Sequence, residues 1–195
     1  MRDPDHVVIE PRVLYVGTPV MLLGTQNADG SANLAPASSY WALGRMVCLG
    51  IENDGRTIEN LAARPEITVN FPPPTLWQAV ERIADTTGAS PVPAAKQPRY
   101  AHVPDKFERA GLTPQPSDLV APPRVAECLL QFEAVVRRDT PGLGDYHLVE
   151  AEVLRVHAAP SILDADGRLD PAAWEPTIYS FRHYHALGPE HGRRP

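Results

Sequence analysis

The sequence predicts a mainly β fold, a β-barrel with peripheral helices. About seven segments alternate apolar and polar residues or form short β-branched runs, whereas one long segment has apolar residues at helical spacing. Turns rich in Asn, Asp and Gly separate the strand-like segments. Such a pattern favours a closed or partly closed antiparallel barrel. The 195 residues, 43% of them hydrophobic, suffice for a sizeable core, so we expect a single domain over residues 1–195.

The first strands are predicted before residue 52. Residues 13–16 and 20–26 form apolar, strand-like runs, and residues 27–30 form a hairpin turn because Asn, Asp and Gly tolerate positive φ. Residues 31–35 then form the returning strand. Residues 45–51 predict a further buried strand that ends in a polar turn.

Three helices and another strand are expected in the middle of the chain. A short helix at residues 57–63 is followed by a strand at residues 66–71, which three prolines end. Residues 75–87 predict the longest helix, with Gly88 as its stop. Residues 105–111 predict one or two helical turns with a glycine cap.

The second half contains a pair of strands and two irregular segments. Residues 128–138 and 146–157 alternate like neighbouring strands of a sheet. The 22 prolines cluster in part within an excursion at about residues 88–104, which we expect to be an ordered surface segment. We expect a C-terminal arm at about residues 171–195.

Charge and composition exclude several function classes. The net charge is −6 with both signs interspersed, so we expect no nucleic-acid binding. No apolar run approaches the ~20 residues of a membrane helix and the first residues lack the order of a secretion signal, which predicts a cytoplasmic protein without membrane association. Cys48 and Cys128 lie far apart in apolar runs and are predicted to be buried free thiols.

One short segment has the composition of a surface for a flat ring. A flavin ring needs small side chains for close approach and polar groups along its edge. Small side chains, a proline, two hydroxyls and an aromatic ring occur here in succession. The alternative is a polar strand-to-loop connection with incidental serines. The candidate contacts are Asn33, Ala35, Pro36, Ala37, Ser38, Ser39 and Tyr40, with Trp41 as a second aromatic candidate for stacking.

A second segment has the composition of a phosphate site. Free amides and a positive dipole at a helix N-terminus favour an anion, and an adjacent Arg adds a charged contact. Arg56 and Thr57 directly before the short helix offer both, and Asn60 one turn later either contacts the ligand or supports the loop. The alternative is that Asn53 or Asp54 simply caps the helix. Both interpretations are compatible.

From about residue 13 to residue 188 the chain resembles the flavin reductase-like family of FMN-binding split-barrel proteins, also called the flavoredoxin group. The order and spacing of several short motifs carry the resemblance. They are residues 25–40 with Asn-x-Ala-Pro-x-Ser, Arg56-Thr57-x-x-Asn60, Val69-Asn70, Asp105-Lys106-Phe107 with Ala110-Gly111-Leu112, Gly144-Asp145-x-His147, and residues 166–170.

The resemblance implies a Greek-key split barrel that forms a homodimer with FMN near the subunit interface. Residues 33–40 would line the flavin ring, and Arg56 and Thr57 would hold the phosphate. Lys106 would add positive charge near that phosphate. The alternative for Lys106 is a solvated lysine on a helix face.

The resemblance favours an NAD(P)H-dependent flavin reductase that transfers hydride to FMN, with NAD(P)H as co-substrate. Family members that use NADH often carry Gly-Asp-His, whereas this chain has Tyr146 at the third position and His147 one residue later. It also has Ala151 where family strands tend to carry glycine. These departures keep three alternatives open: an FMN enzyme for a specific metabolite, a non-enzymatic electron carrier, and a split-barrel scaffold without flavin.

The sequence identifies no catalytic acid or base, since the redox chemistry would belong to the cofactor. Candidates for a substrate pocket are His147, His183 and Tyr184. His183 and His185 have a spacing that could bind a metal, but no third ligand is identifiable, so we expect no metal site. The expected partners are a small-molecule substrate or flavin acceptor, a second copy of the chain, and a monooxygenase as an alternative acceptor.

Overall fold

The structure is a computed structural model and describes residues 6–193. Its helices are α1 (Arg56–Ala63), α2 (Trp77–Ala84) and α3 (Lys106–Ala110), with 3-10 turns at Pro74–Leu76, Ala94–Lys96 and Pro160–Ile162. None of these helices is long and apolar enough to cross a membrane. The strands are β1 (Val16–Pro19), β2 (Met21–Gln26), β3 (Ala32–Ala37), β4 (Tyr40–Leu43), β5 (Met46–Glu52), β6 (Glu66–Phe71), β7 (Thr86–Thr87), β8 (Ala101–His102), β9 (Pro114–Gln115), β10 (Arg124–Val125), β11 (Leu130–Pro141), β12 (Tyr146–Ala158), β13 (Ile178–Ser180) and β14 (His183–His185).

The main sheet has seven strands in the order β3-β2-β6-β11-β12-β5-β4, and all its neighbouring strands are antiparallel. The two edge strands, β3 and β4, are consecutive in the chain and are joined by Ser38 and Ser39. Two residues span a short distance, so the two edges approach each other at this corner although they do not pair. The mainly β fold is confirmed, with a barrel that is split between β3 and β4.

Both faces of β2 are buried, which explains its continuous apolar run. Met21 and Leu23 point into a cluster inside the barrel. Val20 and Leu22 alternate with them and join a second cluster, which also contains residues of α2 and α3. The helices therefore cover the outer side of the β2 and β3 end of the sheet.

The helix predicted at residues 75–87 is shorter than expected. It starts with a 3-10 turn and α2 ends at Ala84, so with eight residues it equals α1 rather than exceeding it. The Thr86 hydroxyl donates to the carbonyl oxygen of Ile83 at 2.8 Å, which satisfies a free carbonyl at the helix end. Thr86 and Thr87 then pair in parallel with β8, so the Pro-rich excursion is anchored to the end of α2.

The prediction of a first strand at residues 13–16 is also wrong in its bounds. The strand β1 starts at Val16 and pairs with β13 of the C-terminal arm, which in turn pairs with β14. Long-range pairing, rather than local propensity, sets these bounds. By contrast, α3 lies within the expected range: the Asp105 side chain accepts from the Glu108 amide at 2.9 Å, and Gly111 follows with φ 70°. Cys48 and Cys128 are free and buried, as predicted.

Candidate functional site

A cleft of about 160 Å³ lies where the barrel is split, between the β3 corner, the end of β5, the start of α1 and the Pro-rich excursion. Most of the predicted ligand contacts meet here although they come from three separate parts of the chain. Those that line the cleft are Ala35, Pro36, Ala37, Ser38, Ser39, Arg56, Thr57 and Lys106.

The N-terminus of α1 opens into this cleft without a side-chain cap. Gly55 is the N-cap residue, and no side chain accepts a hydrogen bond there. The structure therefore contradicts capping by Asn53 or Asp54. The first amides of the eight-residue helix remain available to an anion, which the helix dipole also favours.

The sequence contains only two lysines, Lys96 and Lys106, and both line the cleft. Lys106 is only 4% exposed, and among residues 6–193 no carboxylate lies within ion-pair distance of it. Burial and the nearby charge of Lys96 lower the pKa of Lys106 to about 8. The alternative of a solvated lysine on a helix face is thus wrong.

Lys96 lies above the start of α1. A Cβ atom added at Gly55 would be 3.1 Å from the Lys96 Nζ, so the glycine leaves the room that this ammonium occupies. The Lys96 Nζ is 3.7 Å from an oxygen of Glu52, whose side chain is 71% exposed. Because that carboxylate is well solvated and distant, it compensates the lysine charge only weakly.

Arg56 and Thr57 are held in place by the residues around them. The Arg56 Nε donates to the Gly88 carbonyl oxygen at 3.2 Å, and its Nη1 is 2.8 Å from Glu59. The Thr57 hydroxyl oxygen accepts from the Asn33 Nδ2 at 3.3 Å. Since the oxygen of Thr57 is already an acceptor, its own proton is free to be donated into the cleft.

Asn33 and Asn60 do not line the cleft but lie behind Thr57. Both are buried, and both donate from Nδ2 to the Thr25 hydroxyl oxygen, at 3.1 and 3.0 Å. Asn60 also donates to the Asn27 side chain at 3.0 Å. For Asn60 this geometry corresponds to support of the loop, one of the two roles expected. The Asn33 Oδ1 is buried and has no hydrogen-bond partner among the described residues.

The serine hydroxyls at the β3 corner bind the segment that leads into and forms β1. The Ser39 Oγ is 2.9 Å from the Tyr15 hydroxyl, and the Ser38 Oγ donates to the Pro19 carbonyl oxygen at 3.3 Å. Tyr40 points elsewhere: its ring packs against Phe71 with centroids 5.6 Å apart, and burial raises its pKa. Tyr40 and Trp41 line a neighbouring cavity of about 410 Å³ instead.

Sequence reasoning missed several side chains that line the cleft, among them Lys96 and the two aromatic residues Tyr15 and Tyr100. Lys96 and Tyr100 come from the Pro-rich excursion, where the Lys96 Nζ is 5.2 Å from the centroid of the Tyr100 ring. The scarcity of lysine was the available indication, because one of only two lysines falls in this segment.

The substrate-pocket candidates lie outside the cleft. His147 alternates with Tyr146 and Leu148, which line the 410 Å³ cavity, and its Nδ1 is 2.5 Å from the Asp139 carboxylate. His183 and Tyr184 line another cavity, of about 550 Å³, beside α2. The structure thus does not bring His147 together with the other two.

The cleft fits the phosphate and ring of a flavin by its chemistry. The cleft contains two ammonium groups, a guanidinium, a threonine hydroxyl and free helix amides, but only one carboxylate, which is exposed. This set of donors suits a phosphate. Ala35, Ala37 and Gly50 provide a wall of small residues, and a Cβ atom added at Gly50 would be 2.8 Å from the Ser39 Cβ. The 410 Å³ cavity shares Ser39 and Gly50 with the cleft, so a large ligand has room to extend into it.

Comparisons with known proteins agree with this assignment of the fold. The family model described as "Flavin reductase like domain" matches residues 13–188. An uncharacterized protein of Bacillus subtilis (strain 168), YdfE, is 41% identical over 188 residues, which cover 95% of this chain and 91% of YdfE.

Several solved structures have the same fold at low sequence identity. Flavoredoxin of Desulfovibrio vulgaris (Miyazaki F) has a TM-score of 0.81 at 21% identity and 97% coverage of both chains. Nitrilotriacetate monooxygenase component B from Bacillus cereus has a TM-score of 0.76 at 20% identity, covering 98% of this chain and 100% of its own. The NADH:FAD oxidoreductase SgcE6 of Streptomyces globisporus C-1027 has a TM-score of 0.70 at 16% identity, with coverages of 95% and 100%.

Proposed function

The chain belongs to the flavin reductase-like domain family, and from this premise we propose that it is an FMN-binding oxidoreductase, an NAD(P)H-dependent flavin reductase that transfers hydride to FMN. The observation that carries the proposal is the cation-lined cleft, in which the only two lysines of the sequence lie beside an uncapped helix N-terminus. This arrangement leaves positive charge without a protein partner, as a phosphate site requires.

In this proposal Lys96, Lys106, Arg56 and Thr57 bind the phosphate together with the first amides of α1. The small residues of β3 lie against the ring, and Asn33 positions Thr57 through the 3.3 Å hydrogen bond. FMN supplies the hydride-accepting chemistry when bound, so the chain contributes binding, orientation and electrostatics. No side chain needs to act as an acid or base in hydride transfer itself.

Support for a nicotinamide donor comes from the relatives. One protein of the same fold is named an NADH:FAD oxidoreductase, and another is a monooxygenase component, which supports a partner monooxygenase as acceptor. A second candidate, an FMN enzyme for a specific metabolite, is favoured by His147, which is bound to Asp139 outside the cleft. Steady-state oxidation of NADH and NADPH separates the two. A flavin-loaded protein inert to both would favour the second candidate.

We also propose that the chain forms a homodimer over the face next to the cleft. Edge strand β4 exposes Trp41 and Leu43, and β12 exposes Tyr146 and Leu148 nearby. Such a group of large apolar side chains at a sheet edge is typical of a protein interface. Trp41→Glu combined with Leu43→Glu should convert a dimer into a monomer in sedimentation experiments. A wild-type monomer would contradict this proposal.

The main test compares FMN with riboflavin, which lacks the phosphate. Titration followed by flavin fluorescence should give FMN an affinity at least about tenfold higher, because several charged hydrogen bonds are added. Lys106→Met should reduce that preference while riboflavin affinity changes little. Arg109→Met, an exposed residue on the same helix, is the matched control. Equal binding of FMN and riboflavin by the wild type would remove the phosphate assignment. FAD is titrated in parallel and binds more weakly if FMN is the cofactor.

Amine acetylation gives an independent test, because the chain offers only two lysine side chains. Lys106, with its pKa of about 8, is partly neutral near pH 8, and a neutral amine is the nucleophile in this reaction. FMN at saturation should protect both lysines, as measured by mass spectrometry of peptides. Protection by FMN but not by riboflavin would locate the phosphate. Unchanged acetylation in the presence of bound FMN would contradict the proposed site.

A further inference from the structure

A second cavity, of about 550 Å³, lies between α2 and the β13-β14 hairpin. Its size falls within the range of small-molecule sites in proteins. Its wall combines aromatic rings with charged side chains of both signs. The residues that matter here are Trp77, Glu81, Asp85, Arg99, Arg182 and Tyr184.

The acidic groups of this cavity are already engaged by the protein. Glu81 accepts a 2.6 Å hydrogen bond from the Tyr184 hydroxyl, and Asp85 pairs with Arg99 at 2.7 Å. Arg182 forms no ion pair with any residue in the described range 6–193. The cavity therefore offers an unused guanidinium to a ligand, which favours an anionic group.

The same cavity also has an aromatic surface. Trp77 is 44% exposed, and its ring centroid is 6.0 Å from that of Tyr184 at an interplanar angle of 34°. Tyr179 also lines the cavity, and its ring centroid is 5.4 Å from that of Tyr184. Large apolar rings that remain exposed inside a cavity favour a flat, apolar ligand.

The backbone that carries Arg182 is strained, which is a separate observation. Phe181 and Arg182 both have positive φ, 46° and 71°, in the two-residue turn between β13 and β14. Such turns strongly prefer Asn and Gly, because other side chains disfavour this conformation. Non-glycine residues in strained conformations concentrate at ligand sites. Here the strained turn places Arg182 at the cavity.

The cavity lies beside the cation-lined cleft, since Ala84 lines both. A smaller space of about 170 Å³ shares Tyr179 and Tyr184 with the cavity, and shares Pro36, Ala37 and Ser38 with the cleft. A ligand in the cavity would therefore lie next to the proposed ring surface of β3.

We propose that this cavity binds an aromatic carboxylate, whose ring stacks on Trp77 and whose carboxylate pairs with Arg182. The compound is the second ligand of the protein, beside the flavin. Its role as a second ligand rests on the proposed function, whereas its binding does not.

The test uses 2-naphthoate and two matched probes in calorimetric titrations of the protein. 2-Naphthoate should bind at least about tenfold more tightly than 2-naphthamide, because the uncharged amide cannot form the ion pair with Arg182. It should also bind at least about tenfold more tightly than cyclohexanecarboxylate, because the non-planar ring cannot stack on Trp77. NADPH is titrated as a competitor. Competition by NADPH but not NADH would assign Arg182 to a nucleotide phosphate and overturn the carboxylate. Equal affinities of 2-naphthoate and 2-naphthamide would also overturn it.

Variants of Arg182 separate ligand binding from folding. Arg182→Asn fits the positive φ, so its melting temperature should stay the same or rise, while 2-naphthoate affinity falls at least about tenfold. Trp77→Leu should weaken 2-naphthoate similarly. Arg168→Gln, an exposed arginine paired with Asp166, is the control and should leave binding unchanged. Unchanged 2-naphthoate affinity in Arg182→Asn would overturn the site.

The two proposals fail in distinguishable ways. If FMN does not bind the wild type but 2-naphthoate binds in an Arg182-dependent manner, the proposed function is wrong and this site stands. If FMN binds normally to wild type and Arg182→Asn while 2-naphthoate binds neither, the site is wrong and the proposed function stands. Displacement of FMN by 2-naphthoate would place both in one cleft and would overturn the separate site.

Discussion

Two buried charges in this molecule have opposite surroundings, Lys106 in the cleft and Glu133 on β11. Glu133 is fully buried and accepts hydrogen bonds from the backbone amides of Asp118 and Leu119, at 3.0 and 2.6 Å. His157 adds a 2.6 Å contact. Burial by itself raises the pKa of Glu133, but these donors outweigh burial and the pKa is lowered. Lys106 has no such partner, and its pKa is lowered because its charge is disfavoured.

The difference indicates what each charge does. A buried charge that the protein saturates itself holds structure together, here the loop at residues 117–121 against β11. A buried charge left without a partner destabilises the protein unless a ligand supplies the counter-charge. The contrast therefore favours a structural role for Glu133 and a ligand role for Lys106.

Removal of the saturated charge should have the largest effect. Glu133→Ala leaves three backbone amides and His157 without their acceptor and removes the counter-charge of the nearby Arg124, so it should cost about 3–5 kcal/mol in the free energy of unfolding. Urea denaturation measures it. Glu127→Ala is the control, because this partly exposed carboxylate accepts only from the Thr113 amide and its loss should cost about 1 kcal/mol. Similar losses of unfolding free energy in both variants would show that Glu133 is no more important for stability than a partly exposed carboxylate.

Removal of the unpartnered charge should do the reverse. The pKa of Lys106 falls from 10.5 to about 8, so its charge, buried and close to Lys96, costs the ligand-free protein about 3.5 kcal/mol at about 1.4 kcal/mol per unit. Lys106→Met should be more stable than wild type below pH 8. The gap should close as pH rises from about 8 to 10.5, where the folded wild type first loses the proton. If Lys106→Met is less stable than wild type at pH 7, the Lys106 charge stabilises the ligand-free protein and does not differ from Glu133 in this respect.

The same pKa predicts how flavin binding depends on pH. FMN should bind with nearly constant affinity around pH 7, where its phosphate is a dianion and Lys106 is mostly charged. Above pH 8 the affinity should fall by up to about tenfold per unit, because binding then requires proton uptake. Titrations of riboflavin, which lacks the phosphate, should show little of this dependence, and Lys106→Met should remove it for FMN.

The dependence of unfolding stability on acidic pH tests the role of Glu133. Glu133 has a lowered pKa in the folded state, so its stabilisation is present above its unfolded pKa of about 4.3 and is lost as pH falls through the folded value. Unfolding of the wild type and Glu133→Gln should therefore converge in strong acid. Parallel curves throughout would show that His157 and the amides do not stabilise the charged carboxylate.

The smallest effect is expected at the edge of the Glu133 region. Arg155 pairs with Asp118 at 2.6 Å, but both side chains are about half exposed. Arg155→Gln should therefore cost less than about 1 kcal/mol in unfolding free energy, and less still in high salt. A larger loss would mean that the surface pair is part of the buried network.

Local patterns predicted the parts of the site that are contiguous in sequence. Residues 35–39, Arg56 and Thr57 line the cleft as predicted. The prediction succeeded because a strand corner and a helix start can each be recognised from a few neighbouring residues. Lys96 and Tyr100 were missed because a long Pro-rich excursion carries them back over the start of α1. Asn33 was predicted as a contact but lies behind Thr57, since type and spacing do not reveal depth.

The sequence by itself determined the mainly β class, the hairpins, the ends of α3 and the place of Arg56 and Thr57 at the start of α1, because these depend on periodicity and on neighbouring residues. Only the tertiary structure decided that α2 ends at Ala84, that β1 pairs with the C-terminal arm, and that both lysines face one cleft. It also decided that Glu133 is saturated and Lys106 is not. Burial and partnership arise from contacts between distant parts of the chain, which no local pattern encodes.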